Sequence, residues 1–458
     1  MIAARESVKR LVNALGTVSC RCPGHSSGSA FLNSDASMKK EYAYEVAASN
    51  IRYGPGVTKE LGMDLKNLGA KKVLLMTDKT IALLPAMKAA IEALHKSSIN
   101  FEVFEDVRVE PNDHSFQRAI EFAKNGSFDA FVAVGGGSVM DTCKVANLCA
   151  SNPNADLLDF VNAPIGKGLA ITHDLYPLIA VPTTAGTGSE TTGTAIFDFT
   201  EIKTKTGISS RKLRPTLGLV DPLHTLTMPE RKSLLKEILS HALESYTALP
   251  YFEREPRPSN PKLRPAYQGS NPISDVWSLH ALKVVAKAVQ DCEDFEARSE
   301  MLLASVFAGI GFGNAGCHLC HGMSYPIAGN VQSYKAKDYP TDHAIVPHGL
   351  SVVLTAPAVF EFTYAMCPDR HLETAEILGA DIRNKKQKDA GKILSDQLRR
   401  IMQDLNVDDG LNSIGYSRED IPKLVKGTLP QERVTKLAPR AQTEEDLSNL
   451  FEKSLKCY

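Results

Sequence analysis

The chain reads as two domains, an α/β N-terminal domain and an all-α C-terminal domain. Three observations predict this. Its 458 residues are too many for one ordinary core. From Tyr42 to Asp221 short apolar runs alternate with amphipathic segments, the pattern of a largely parallel sheet with covering helices. Beyond Asp221-Pro222 the apolar residues recur at helical spacing. The expected divisions are a leader over 1–34, the α/β domain over 35–222 and the helical domain over 223–458.

Taken in order, the leader comes first. It holds Arg5, Lys9, Arg10 and Arg21, a single acid (Glu6) before Asp35, and six serines. Val8, Leu11, Val12 and Leu15 line one helical face, so the stretch resembles a mitochondrial transit peptide and implies the matrix; the other reading is a disordered tail. Lys72–Thr77 is predicted as a buried strand, Ile81–His95 as its helix, Asn100–Phe104 and Ala130–Val134 as strands around a Ser115–Lys124 helix, and Leu178–Val181 as a further strand. Helices are expected over Leu234–Tyr246, Ser274–Gln290, Phe295–Ile310, His371–Leu378, Ala390–Leu405 and Glu444–Leu455. Leu249–Pro272 interrupts them with six prolines and is expected as an irregular surface excursion. No internal repeat stands out.

Composition narrows the function. Lys plus Arg number 52 against 53 Asp plus Glu, a balance that argues against nucleic acid or an anionic membrane as partner. No apolar run reaches the ~18 residues of a membrane span. Nine cysteines, an odd number on a long chain, fit free thiols in a reducing compartment.

Two glycine-rich turns end predicted strands. Gly135, Gly136, Gly137 and Ser138 lie between a strand and a helix, where a bare backbone lets a pyrophosphate meet the helix start; a simple tight turn is the plainer reading. Pro182-Thr183-Thr184-Ala185-Gly186-Thr187-Gly188-Ser189-Glu190 ends the neighbouring strand, so the pair outlines a nucleotide cleft. Asp78 closes the first strand and suits a ribose hydroxyl, favouring NAD over NADP, or else caps a helix. In the second half, His318, His321, His343 and His348 crowd one stretch of a chain with 12 histidines, and Glu237 and His241 sit four apart on a helix face. A carboxylate with several imidazoles suits a divalent first-row metal, whereas any one of these histidines alone is more often a satisfied core residue.

Together these motifs resemble the iron-containing alcohol dehydrogenase family. Its pattern is met by the GGGS turn with Asp141, the PTTAGTGSE turn, Val220-Asp221-Pro222, His241-Ala-Leu-Glu244, the Asn314–His321 segment and Pro347-His348-Gly349, in that order. The resemblance implies a dehydroquinate-synthase-like fold with Glu237, His241, His321 and His348 on a divalent metal, Fe2+ first and Zn2+ second. It places NAD over Gly135–Ser138 with Asp141, Thr183, Thr184, Thr187 and Ser189 beside it, Asp78 on one ribose and Lys205 on the other. Tyr325 and His318 are the implied catalytic residues. The leader and the proline-rich insertion look most like the branch that passes hydride from a small hydroxy acid, 4-hydroxybutyrate, to an oxo acid, 2-oxoglutarate, through a retained cofactor. A homo-oligomer is left open.

Three departures stand out. Glu237 replaces the family's Asp, on a segment from Pro229 that reads about two residues short; Tyr325 stands where many relatives have His; and the gap from His321 to His348 is long. Arg257, Arg264, Lys335 and Lys337 are carboxylate-binding candidates by charge. Cys317, His318, Cys320 and His321 also invite a structural zinc. Two other functions remain open: an ordinary dehydrogenase releasing NADH, and a silent nucleotide-binding paralogue or splice form with a disabled metal site.

Overall fold

The computed structural model describes residues 39–228, 232–288, 295–336, 339, 341 and 343–458. The leader, Pro229 and Lys337 therefore lie outside the described residues. In the first half, strands β1 (Asn50–Tyr53), β2 (Lys72–Met76), β3 (Asn100–Phe104), β4 (Ala130–Gly135), β5 (Leu178–Pro182) and β8 (Leu217–Val220) form one sheet in the order β1-β8-β5-β4-β2-β3. All its pairs are parallel, and the central strands β4 and β5 are buried throughout, as their unbroken apolar sequences require. Between β5 and β8 the chain adds an antiparallel hairpin, β6 (Thr194–Phe199) with β7 (Thr204–Ser209).

The Ile81–His95 segment divides into a short 3-10 turn, Ile81–Leu83, and a helix, Pro85–Lys96. Proline at the first helical position explains the break: its fixed φ suits a helix start but its missing N–H cannot continue the turn before it. The second half is helical, with Lys232–Thr247, Pro272–Ala288, Phe295–Ala315, Leu319–Gly329 and Ala390–Asp404 among its elements, packed on one large apolar cluster. The proline-rich excursion carries only 3-10 turns, at Tyr251–Glu253 and Pro261–Leu263. It is not confined to the surface, however: Ala266, Tyr267, Gln268, Ser270 and Asn271 are buried.

The two halves touch where backbone meets backbone. Gly188, at φ +58°, lies against Gly309 of the Phe295–Ala315 helix, where a Cβ on Gly188 would stand 2.7 Å from the Gly309 Cα. Among the described residues no single helix is long and apolar enough to cross a membrane.

Candidate metal and nucleotide site

His241 comes from the middle of the Lys232–Thr247 helix, His321 from the first turn of Leu319–Gly329, and His348 from the start of His348–Val353. Their donor atoms all lie within 4.8 Å of one another. The rings are held by packing: His241 stacks on Phe312 at 3.8 Å and on His321 at 4.8 Å, while His348 meets His321 edge-on at 5.2 Å. Nδ1 of His241, Nε2 of His321 and Nδ1 of His348 are buried and have no hydrogen-bond partner. Three orphaned imidazole nitrogens facing one point match the donor set of a divalent transition metal. Burial, followed by the neighbouring His321 ring, pushes His241 well below the usual imidazole range and His348 down to about 3, so both are neutral and can donate lone pairs.

Glu244 supports this cluster from beneath. Its fully buried carboxylate accepts from His321 Nδ1 and from the backbone N–H groups of His318, at 3.0 Å, and His321, at 3.2 Å. Burial raises this acid, but the imidazoles of His321 and His318 and the hydrogen bonds outweigh it and hold it at about 2. An ionised carboxylate on Nδ1 directs the free lone pair of His321 outward through Nε2. The i+3 spacing from His241 was legible; that Glu244 faces inward rather than outward was not.

Glu237 lines the same pocket but does not belong to the set of mutually close donors. Its carboxylate instead lies over the bare face of Gly186 in the β5 turn, 2.7 Å from where a Cβ would stand. Burial, then the charges of Glu110 and Asp141, raise it to about 8. Among the described residues the cysteines form no four-donor zinc site: Cys317 groups with Glu244 and His321, and burial first of all pushes both the Cys317 and Cys320 thiols up, which keeps them protonated.

Gly137, Ser138, Asp141, Thr187, Ser189 and Lys205 line the pocket of the three histidines, a cavity of about 110 Å³ that adjoins a larger one of about 520 Å³ through Glu110 and Lys205. The Gly137–Ser151 helix starts here without a side-chain cap, as a phosphate-binding turn requires. The two turns interlock: Thr183 N–H donates to Gly135 O at 3.0 Å, and a Cβ on Gly137 would lie 2.4 Å from the Thr187 methyl. Gly136 similarly faces Thr184. Thr183 Oγ1 is buried without a partner.

Other expected cofactor residues have structural work as well. Asp141 accepts from Ser189 Oγ at 2.6 Å and Ile196 N–H at 2.9 Å, bracing the hairpin. Asp78 Oδ1 caps the following turn, accepting from the N–H groups of Thr80 and Ile81. Lys205 is buried between Glu110 and Asp198.

Of the two expected catalytic residues, Tyr325 lines the pocket, its ring 6.5 Å from that of His348. His318 does not. It caps the Leu319–Gly329 helix, accepting from Leu319 N–H at 2.8 Å through Nδ1, and its Nε2 meets Thr247 Oγ1 at 3.0 Å. With both nitrogens engaged and no exposed surface, it has no route to a substrate, which corrects the expectation. The charge-based carboxylate candidates fare no better: Arg264 is paired with Glu41, and neither it nor Arg257 lines the pocket. Sequence reasoning missed Tyr267 and Phe312, which only the tertiary fold brings to this cavity, and Arg433, which bonds Tyr325 from behind its wall.

Comparison with known proteins shows the family and the fold. Residues 48–222 match the family described as iron-containing alcohol dehydrogenase, and 266–455 its C-terminal part. Mitochondrial hydroxyacid-oxoacid transhydrogenase of Mus musculus is 64% identical over 462 residues, covering 100% of this chain and 99% of that one. The protein of that name from Homo sapiens is 62% identical over 464 residues with the same coverage. Among solved structures, a 1,3-propanediol oxidoreductase (TM-score 0.77, 25% identity) and the alcohol dehydrogenase from Oenococcus oeni (TM-score 0.76, 26% identity) each cover 90% of this chain and are themselves covered in full.

Proposed function

The chain belongs to the iron-containing alcohol dehydrogenase family, and from that premise we propose that it is a mitochondrial hydroxyacid-oxoacid transhydrogenase. It passes hydride from 4-hydroxybutyrate to 2-oxoglutarate through a retained NAD, giving succinate semialdehyde and 2-hydroxyglutarate. The observation that carries this reading is the trio of buried, partnerless histidine nitrogens opening onto the uncapped glycine turn. Likeness to the named transhydrogenases along the whole chain supports the choice of substrates.

His241, His321 and His348 would hold a divalent ion, Fe2+ before Zn2+, and Glu237, which lines the same pocket, would complete the set by turning from Gly186 toward them; the ion would supply Lewis acidity to the substrate hydroxyl and the nicotinamide the hydride acceptor. The protein's own groups do the rest. Glu244 fixes the tautomer of His321. The first N–H groups of the Gly137–Ser151 helix receive the pyrophosphate. Lys205, oriented by Glu110 and Asp198, faces the cavity where a ribose would lie. The Tyr325 hydroxyl donates to a substrate oxygen, and the stacked Phe312 and His241 rings keep water out.

The test is deuterium transfer. Carbinol-labelled 4-hydroxybutyrate is given to desalted protein with 2-oxoglutarate and no added NAD. Label in 2-hydroxyglutarate is the expected result. Transfer that appears only when NAD is supplied refutes cofactor retention and leaves an ordinary dehydrogenase.

A further inference from the structure

Arg433, on the short Glu432–Thr435 helix, stands behind the pocket wall made by Tyr267, Cys317, Tyr325 and Val434. Its Nη2 donates to the Tyr325 Oη at 2.7 Å, and its guanidinium lies 5.1 Å over the Tyr267 ring. Nη1 is buried and has no hydrogen-bond partner. Among the described residues this cation forms no ion pair; the groups that bear on its charge are two phenols and a thiol. A guanidinium placed this way is costly unless an anion reaches it. Three of the nearby acids are committed elsewhere, Glu110 to Lys205, Asp141 to Ser189 and the hairpin, and Glu244 to His321, and the fourth, Glu237, lies over Gly186 and is kept protonated by burial.

Building on the transhydrogenase reading, we infer that Arg433 and Tyr325 form the binding site for the terminal carboxylate of the hydroxy- and oxo-acid substrates. Tyr325 Oη accepts from Arg433, which leaves its own O–H free to point into the pocket. The phenol O–H then donates to one substrate carboxylate inside the pocket, and the guanidinium that holds the phenol oxygen from behind the wall makes it a charge-assisted donor. Tyr325 lies four residues beyond His321 on the same helix face, with its ring 6.5 Å from His348, so the anchor stands off from the histidine cluster by the reach of a short acid.

The substrates share the matching feature. In 4-hydroxybutyrate two methylenes separate the carbinol carbon from the carboxylate, and in 2-oxoglutarate two methylenes separate the oxo carbon from the distal carboxylate. One anchor therefore aligns both reacting carbons over the same nicotinamide in alternate half-reactions. A neutral alcohol gains nothing from it.

The experiment measures binding and selectivity on the full-length, metal-loaded protein. Glutarate, which carries the carboxylate but cannot react, is titrated by calorimetry into wild type, Arg433→Met and Arg433→Lys. The Met variant is expected to lose at least about tenfold in affinity and the Lys variant to recover part of it. The ratio of kcat/KM for 4-hydroxybutyrate over 1-butanol should fall on the order of 100-fold in Arg433→Met. An unchanged ratio, or a wild type that binds no glutarate, overturns the inference. Should Arg433→Met fail to fold, Arg433→Lys and Tyr325→Phe carry the same comparison, with weaker glutarate binding expected in both. If wild type moves no deuterium between the two acids while glutarate affinity still depends on Arg433, the transhydrogenase reading fails and the carboxylate anchor stands.

Discussion

Replacing Glu244 by Gln separates the geometry of the metal cluster from its mere presence. The carboxylate accepts from two backbone N–H groups and from His321 Nδ1. Gln has nearly the same shape, so its carbonyl oxygen can keep the two amide bonds while its NH2 group turns to His321. Nδ1 must then accept rather than donate, and the ring proton moves to Nε2, the atom that faces His241 and His348. Loss of such a supporting carboxylate costs about 10–100-fold in metal affinity, equivalent to about 1.4–2.7 kcal/mol. Glu244→Ala also strands the two buried N–H groups, which adds a stability loss of about 1–3 kcal/mol for each. Metal affinity is read by competition with a chromogenic chelator, and stability by the urea midpoint of the metal-free protein. The expected pattern is weak metal binding in both variants with a large stability loss only in Ala. A Glu244→Gln protein that binds metal within twofold of wild type would show that Glu244 does not orient His321, and the reasoning would fail.

Four further outcomes follow. Because Glu237 is raised to about 8, it holds its proton near pH 7 in the metal-free protein. Metal titrations in buffers of different ionisation enthalpy should register its release in wild type and not in Glu237→Gln. His348, with a folded pKa of about 3, contributes stability to the metal-free protein that is complete above its unfolded value of ~6.5 and is lost as pH descends toward 3; because Glu237, raised to about 8, runs the opposite way, the urea midpoint of wild type minus that of His348→Gln should fall between pH 7.5 and 5.5. Gly137→Ala forces a methyl into Thr187, so it should cost about 1–3 kcal/mol and release the bound nucleotide on gel filtration. Asp78→Ser should keep the turn cap and the melting temperature, while a fluorescence titration shows NADP binding closer to that of NAD.

Legibility differed between the halves for physical reasons. Strands β2, β4 and β5 were readable because they are buried on both faces and so spell continuous apolar runs. Edge strand β1, partly exposed, and the β6–β7 hairpin, rich in Thr, Asp and Lys, lack that signature and were not anticipated. His241, His321 and His348 could be named from motif and spacing, since each sits at a helix position the family pattern marks. His318 was misplaced because sequence shows a histidine's chemistry but not that a helix start nearby will claim its Nδ1. Tyr267 was overlooked because prolines around it signal a surface loop, and only the fold shows the loop's end returning to the core.

The contact of Gly188 with Gly309 sets how closely the two halves can approach. With no side chains between them the two backbones meet directly, and a Cβ on Gly309 would stand 2.3 Å from Thr191 Oγ1 and 3.0 Å from the Gly188 Cα. A methyl at either position would therefore push the turn that carries Thr187 and Ser189 away from the Phe295–Ala315 helix, so the spacing of the two halves is fixed by the absence of side chains at this one point.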